Sequence, residues 1–206
     1  ALAATQTAPG RATLPGLGRS GSADAAALVN GTAGTFLEMD EGNRFSRGHP
    51  AVHVIPAALA LCEERGADAV VFLSAVLVGY EVGSRLGAAS RLRAAMHPHG
   101  TWGTVGAAAA CARVAGLGAA AMRETINIAS SMTTATSKQT MLDGGLVRNV
   151  YAGLSNRNGL LALLQFYGDE KVLVEAEKAF KALPQALKAL DLLRGLLPAA
   201  SLSHMG

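Results

Sequence analysis

Aromatic side chains are scarce in this chain: one Trp, three Tyr and five Phe, 4% of 206 residues. Strands favour aromatic and β-branched residues, whereas 41 Ala and 24 Gly make up close to a third of the sequence. Alanine is the best helix former, and small residues let helix backbones approach closely, so an all-β fold is disfavoured. Charged residues are also few, at 16%, and half the residues are hydrophobic, which argues against intrinsic disorder. The net charge is only +3, and the 18 basic residues are scattered instead of forming the stripe that a nucleic-acid surface needs. No nucleic-acid partner is expected.

Cysteine is nearly absent. Cys62 and Cys111 lie in apolar stretches with no C-x-x-C partner, which predicts buried thiols and fits a reducing compartment better than a disulfide framework. The longest charge-free apolar stretch, Ala69 to Tyr80, is too short to cross a bilayer, and no charged leader precedes an apolar segment at the start. The chain therefore reads as cytoplasmic, with no membrane partner. Two motifs are missing as well. TWGTVGAAAA lacks GxxxxGK[ST] and a preceding strand, and Ser130-Ser131 lacks the G-x-S-x-G elbow, so neither a phosphate-binding loop nor a serine hydrolase is expected.

What is present reads as one all-α domain, a multi-helix bundle. Residues 1–21, with Pro9 and Pro15 and several glycines, predict a loop-like lead. Ser22 caps a short helix over 23–29 that Asn30-Gly31 can end. Apolar spacing predicts further helices from Pro56 to Gly66, from Asp68 to Leu86, from Thr104 to Ala115, from Ala119 to about Thr134 and from Val147 to Phe166. TTATSKQTMLDGG is β-branched and polar and predicts a loop or frayed end. Beyond residue 168 the composition shifts. Four of the five lysines fall there, and residues 169–198 predict two amphipathic helices broken by Pro184. Ser203-His204-Met205 resembles an expression-vector remnant, so His204 is set aside.

The chemistry-bearing residues cluster. His49-x-x-x-His53 has the spacing of zinc-binding helices, but no H-E-x-x-H pattern accompanies it, and Glu38, Asp40 and Glu41 could complete a site only by folding back. The metal expectation is none. A cofactor-free acid–base site fits better: Gly48-His49-Pro50 and His97-Pro98-His99-Gly100 each fix the backbone beside an imidazole, which titrates near neutrality. Three carboxylates within four positions, Glu38, Asp40 and Glu41, either face water or raise one another's pKa. Arg148 and Arg157 are candidates to grip a substrate carboxylate, or to pair with that acidic cluster.

NGTAGTFLEMDEGNRFSRGHPAVHVIPAALALCE, then GYEVGSRLG, HPHGTWGTVGAAAACARVAGL and RNVYAGLSNRNGLLAL, resemble in order and spacing the MmgE/PrpD family over about residues 22–167. That family includes 2-methylcitrate dehydratase, cis-aconitate decarboxylase and iminodisuccinate epimerase. The resemblance implies a helical domain, usually in a homodimer and joined to a smaller α+β lid, with no cofactor. It also implies a small polycarboxylate substrate and chemistry beginning at a carbon beside a carboxylate. By position, Glu38, Asp40 and Glu41 fall on the family's acidic motif, and His49 and His97 on its two His-Pro histidines. Arg148 stands where members often have Lys, Tyr151 where they often have His, Gly42 where many have Thr, and His53 has no counterpart. No lid is read in this chain.

The resulting expectation is a lyase of dehydratase type, with decarboxylase or epimerase as alternatives. His49, His97 and Asp40 are its proton-transfer groups, and Glu38, Glu41, Arg148 and Tyr151 its substrate contacts. Both imidazoles must then lie within about 10 Å to reach one small acid. The competing expectation is a non-catalytic helical dimerisation or ligand-binding domain.

Overall fold

In the computed structural model, which describes residues 8–168, helices dominate. The described residues belong almost wholly to one unit, Ala1–Phe166; the second, Tyr167–Gly206, contributes only its first two residues to the description. The Lys-rich segment and its two expected helices lie outside the described residues.

The lead is not simply loop. Strands β1 (Ala12–Leu14) and β2 (Arg19–Gly21) pair antiparallel around a 3-10 turn at Pro15–Leu17. Alternation turns Ala12 and Leu14 fully inward, while the Thr13 N–H and hydroxyl donate to the Glu63 carboxylate at 2.6 and 2.7 Å. Proline and glycine mark the turn; the two buried apolar side chains hold the hairpin on the helices.

Helix α1 (Ala23–Gly34) starts at Ser22, whose hydroxyl accepts from the Ala25 N–H as expected of an N-cap. It runs through Asn30-Gly31 instead of stopping there. Gly31 serves packing: a Cβ on it would lie 2.5 Å from the Asn156 amide and 3.0 Å from the Gly153 backbone. Helix α2 (Pro50–Arg65) begins six residues earlier than the sequence pattern suggests, with Pro50 in its first turn and Pro56 in its interior. An interior proline removes one N–H and disrupts the helical hydrogen bond to the residue four before it, here Val52. Asn156 repairs the break. Its Nδ2 donates to the Val52 carbonyl at 2.8 Å, and its Oδ1 accepts the Ala57 N–H at 2.9 Å. All three groups are buried, so Asn156→Leu orphans two backbone groups and is expected to cost about 2 kcal/mol; urea denaturation of the purified variant measures it.

Helix α3 (Ala69–Ala89) packs along α4 (Trp102–Val114). Gly79, Gly83 and Gly87 form its inner stripe, and a Cβ at Gly79 would stand 2.7 Å from Ala110 Cβ and from the Gly106 carbonyl. The helix continues past the charge-free stretch through Glu81 and Arg85. With 21 residues and mean hydropathy 1.5, it is by length and composition apolar enough to cross a membrane. Helix α4 is buried over almost its whole length, and Val105 and Ala108 join Ala129 of α5 (Ala119–Ser131) and Ala162 in one core cluster. Helix α6 (Lys138–Leu142) interrupts the expected loop, because the Ser137 hydroxyl caps the Thr140 N–H. Helix α7 covers residues 147–168.

Cys62 and Cys111 are both buried and free, as expected. Burial pushes the Cys111 thiol up to about 12, which keeps it protonated and inert.

Candidate functional site

Two loops carry His49, His97 and His99. The first, between α1 and α2, leaves Thr35 fully buried, its hydroxyl bridging the Thr32 and Asn149 carbonyls. Two non-glycine residues in this loop, Glu38 (φ 56°) and Arg47 (φ 55°), adopt the left-handed conformation. Such strain persists only where the surroundings impose it, and it concentrates at functional sites. Asn43 organises the turn: its Oδ1 accepts the Phe45 and Ser46 N–H groups at 3.0 and 2.9 Å. The loop ends on His49, the residue before Pro50, whose side chain is 31% exposed.

The second loop precedes α4. His97 N–H donates to the Thr136 carbonyl, and the Thr136 hydroxyl is shared between the His97 and His99 carbonyls at 2.9 and 2.5 Å. Gly100 turns at φ 86°; its N–H donates to Ser155 Oγ and its carbonyl accepts from Thr134 Oγ1. The β-branched segment read from sequence as a loop or frayed end is therefore the strap that holds His97-Pro98-His99-Gly100 in place.

These loops bring four imidazoles together. His99 is fully buried at the centre, its ring centroid 5.2 Å from His49, 4.6 Å from His97 and 4.7 Å from His53. His49 and His97 therefore lie within about 10 Å of each other, the span one small acid requires. His53, in α2, points away from His49 toward His99: its Nε2 lies 2.6 Å from His99 Nδ1, and the ring packs edge-on to Trp102. Gly103 leaves the space for that ring, which a Cβ there would strike.

Burial depresses the inner imidazoles. His53 falls to about 3, through desolvation first and then the charges of His49 and His97. His97 falls to about 4, through desolvation and then the neighbouring Arg148 guanidinium. His99 is pushed far down by the same desolvation and by its histidine neighbours. All three are neutral at physiological pH.

Neutral imidazole carries one N–H, so the hydrogen-bond pattern assigns tautomers. His49 Nδ1 faces the Glu41 carbonyl at 2.6 Å, with Asp40 Oδ2 3.3 Å away; both are acceptors, so Nδ1 bears the proton and Nε2 the lone pair. His97 Nδ1 accepts the His99 N–H at 3.2 Å, so its proton sits on Nε2. The two histidines thus present opposite faces of acid–base chemistry.

The carboxylates divide three ways. The Asp40 side chain is only 3% exposed and its Oδ2 stands 3.8 Å from His99 Nε2, making Asp40, His49 and His99 a group whose donor atoms lie within 4.8 Å of one another. Glu41 accepts the Ala51 N–H in the first turn of α2, and burial raises its pKa. Glu38 pairs with Arg148, which also reaches the Thr35 carbonyl. Arg157 pairs instead with Asp24, away from the acidic loop. Tyr151 lies beside His97, ring centroids 6.3 Å apart.

His49 and His97 line a cavity of about 360 Å³. Arg148, Tyr151 and the three carboxylates are not among its lining residues; Arg47, Arg91, Arg93 and Lys138 are, so the walls are strongly cationic. Sequence reasoning assigned none of these four as a substrate contact, nor His99 as the hub. The run Arg91-x-Arg93 just before the second His-Pro was the available signal.

Known proteins point the same way. Residues 1–183 match the MmgE/PrpD N-terminal domain. The chain is 31% identical over 169 residues to a cis-aconitate decarboxylase of Aspergillus terreus, covering 78% of this chain and 34% of that protein. It is 28% identical over 166 residues to a cis-aconitate decarboxylase-like protein of Aspergillus oryzae, covering 75% and 34%. A shorter likeness, 60% over 42 residues, is to an ATP phosphoribosyltransferase regulatory subunit of Albidiferax ferrireducens, covering 20% of this chain and 11% of that protein. The chain thus spans about a third of the length of the decarboxylases it matches. The family match runs through both His-Pro loops and the helices that hold them, and the chain belongs to the MmgE/PrpD family.

Proposed function

We propose that this domain supplies the acid–base half of a lyase site acting on a small di- or tricarboxylate, of dehydratase or decarboxylase type. The observation that carries the reading is the pairing of opposite tautomers at one cationic cavity. His49 offers a lone pair on Nε2, and His97 offers a proton on Nε2. In a dehydration, His49 takes the proton from the carbon next to a carboxylate and returns it to the departing hydroxyl, which leaves as water, while the His97 Nε2–H hydrogen-bonds the developing negative charge. In a decarboxylation, the electrons of the breaking C–C bond pass to the adjacent carbon as carbon dioxide leaves, and that carbon takes a proton that His49 Nε2 has first accepted from solvent. The names of the similar decarboxylases favour the second course.

Asp40 steadies the imidazolium that forms on His49, 3.3 Å from its carboxylate. His97, held neutral by burial and by Arg148, is a better donor of a short hydrogen bond to developing negative charge than a solvated imidazolium losing its proton to water. Arg47, Arg91, Arg93 and Lys138 receive the carboxylates. In this reading Arg148 and Glu38 tie the first loop to α7, Tyr151 packs beside His97, and none of the three reaches the substrate first.

Calorimetric titration tests it. A tricarboxylate such as cis-aconitate is expected to bind saturably and its trimethyl ester not at all. Arg93→Gln is expected to weaken binding about tenfold, the loss of one charge-assisted contact. Equal binding of acid and ester contradicts the reading.

A further inference from the structure

Two buried polar atoms in the histidine cluster face each other. Asp40 Oδ2 and His99 Nε2 are both fully shielded, have no hydrogen-bond partner among the described residues, and stand 3.8 Å apart. That separation is longer than a hydrogen bond. It is close to the edge of a tetrahedron of ligands about 2.1 Å from a central ion, which is about 3.4 Å. The second edge, Asp40 Oδ2 to His49 Nδ1, is 3.3 Å. Behind His99, the His53 ring meets Nδ1 at 2.6 Å. When His99 Nδ1–H donates to His53 Nε2, the lone pair of His99 Nε2 faces the Asp40 carboxylate, an arrangement that needs a cation or a proton between them.

From this geometry we infer a site for one divalent transition-metal ion, of the zinc or cobalt(II) kind, held by Asp40, His49 and His99 and oriented by His53. Two imidazoles and one carboxylate suit borderline ions and not magnesium or calcium, which take oxygen ligands. The His53–His99 contact is the outer-shell partner that ligating histidines regularly possess. It lies where the i, i+4 pairing of His49 with His53 would not have placed it, because His49 precedes the helix and His53 turns into the core. To bind, His49 releases the Glu41 carbonyl and carries its proton on Nε2 instead of Nδ1. An ion bound there takes away the Nε2 lone pair that proton abstraction requires. The cation is therefore an inhibitor of the proposed proton transfer and not its agent. The inference stands apart from the acid–base reading, since the ligand atoms bind an ion whether or not the chain turns over a substrate.

Cobalt(II) titration of the chelator-treated full chain tests the site. The expected result is one equivalent bound with the visible absorption of a low-coordinate Co(II) ion, and competition by zinc. Asp40→Asn, nearly isosteric, is expected to weaken affinity at least tenfold, and His53→Leu by about 10- to 100-fold through loss of the outer shell. Circular dichroism confirms that each variant is folded, and Asp40→Asn carries the test should the fully buried His53 not tolerate replacement. Absence of saturable binding by either ion, or binding unchanged in Asp40→Asn, overturns the inference.

Discussion

Replacing His49 by Gln is expected to lower the turnover rate by about 10² to 10⁴, the usual contribution of a positioned acid or base, and His97→Leu by about 10² to 10³, the usual loss of one hydrogen bond to developing charge. The two losses differ in kind. Gln at 49 can still donate toward the Glu41 carbonyl but has no basic nitrogen, so the rate constant falls with little change in KM. Leu at 97 offers no N–H, so the hydrogen bond to developing charge is lost while the base remains. The double variant is expected to fall well short of the product of the two single effects, because groups that act as a unit are not additive. Steady-state kinetics of the three variants decides it. A single variant within threefold of the parent removes that histidine from its assigned role.

Acidification is expected to destabilise the fold well before ordinary carboxylates titrate. His53 and His97 have folded values of about 3 and about 4, below the ordinary 6.5, and His99 is lower still. Above the unfolded value neither state binds the proton, and stability is at its full level. As pH falls below 6.5 the unfolded chain takes up protons that the folded chain refuses, so stability declines until the folded values are reached. Between pH 7.5 and 5.5 each such histidine costs about 1.4 kcal/mol, and His53 and His97 together about 3 kcal/mol. Glu41, raised by burial, has the opposite sign: its folded state holds a proton more readily. That gain begins nearer the carboxylate range and offsets little of the loss in this window. Urea denaturation at pH 7.5, 6.5 and 5.5 measures the slope. A stability flat across those values would mean that the inner imidazoles are not held neutral by burial.

Much of this was legible in the sequence where one residue type has one physical role. Ser22 as a cap, Gly66 as the left-handed stop of α2, and the Ala-rich run of α4 follow from local rules, and the structure follows them. Pro56 shows where local rules end. Its missing N–H marks a helix start by sequence, yet a side chain 100 residues away, Asn156, satisfies the carbonyl it abandons and lets α2 begin at Pro50. Only tertiary packing can supply that partner. Gly31 fails in the same manner, read as a stop when its role is close contact with α7.

At the site, adjacency of His to Pro singled out His49 and His97, and the structure brings both to one cavity. The partnership of His53 with His99 was hidden, because 46 residues separate them and helical spacing paired His53 with His49 instead. Arg47, Arg91 and Arg93 were passed over since their charges look scattered along the chain and converge only when the two loops meet.

Proton exchange at carbon tests the central claim most directly. Incubate the chain in D2O with a panel of small di- and tricarboxylates, cis-aconitate included, and follow the protons beside each carboxylate by NMR. The account predicts deuterium at that carbon, or in the decarboxylated product, for at least one acid with the parent chain, and none with His49→Gln. Deuterium incorporated equally by parent and variant, or by neither for every acid shown to bind, would contradict it.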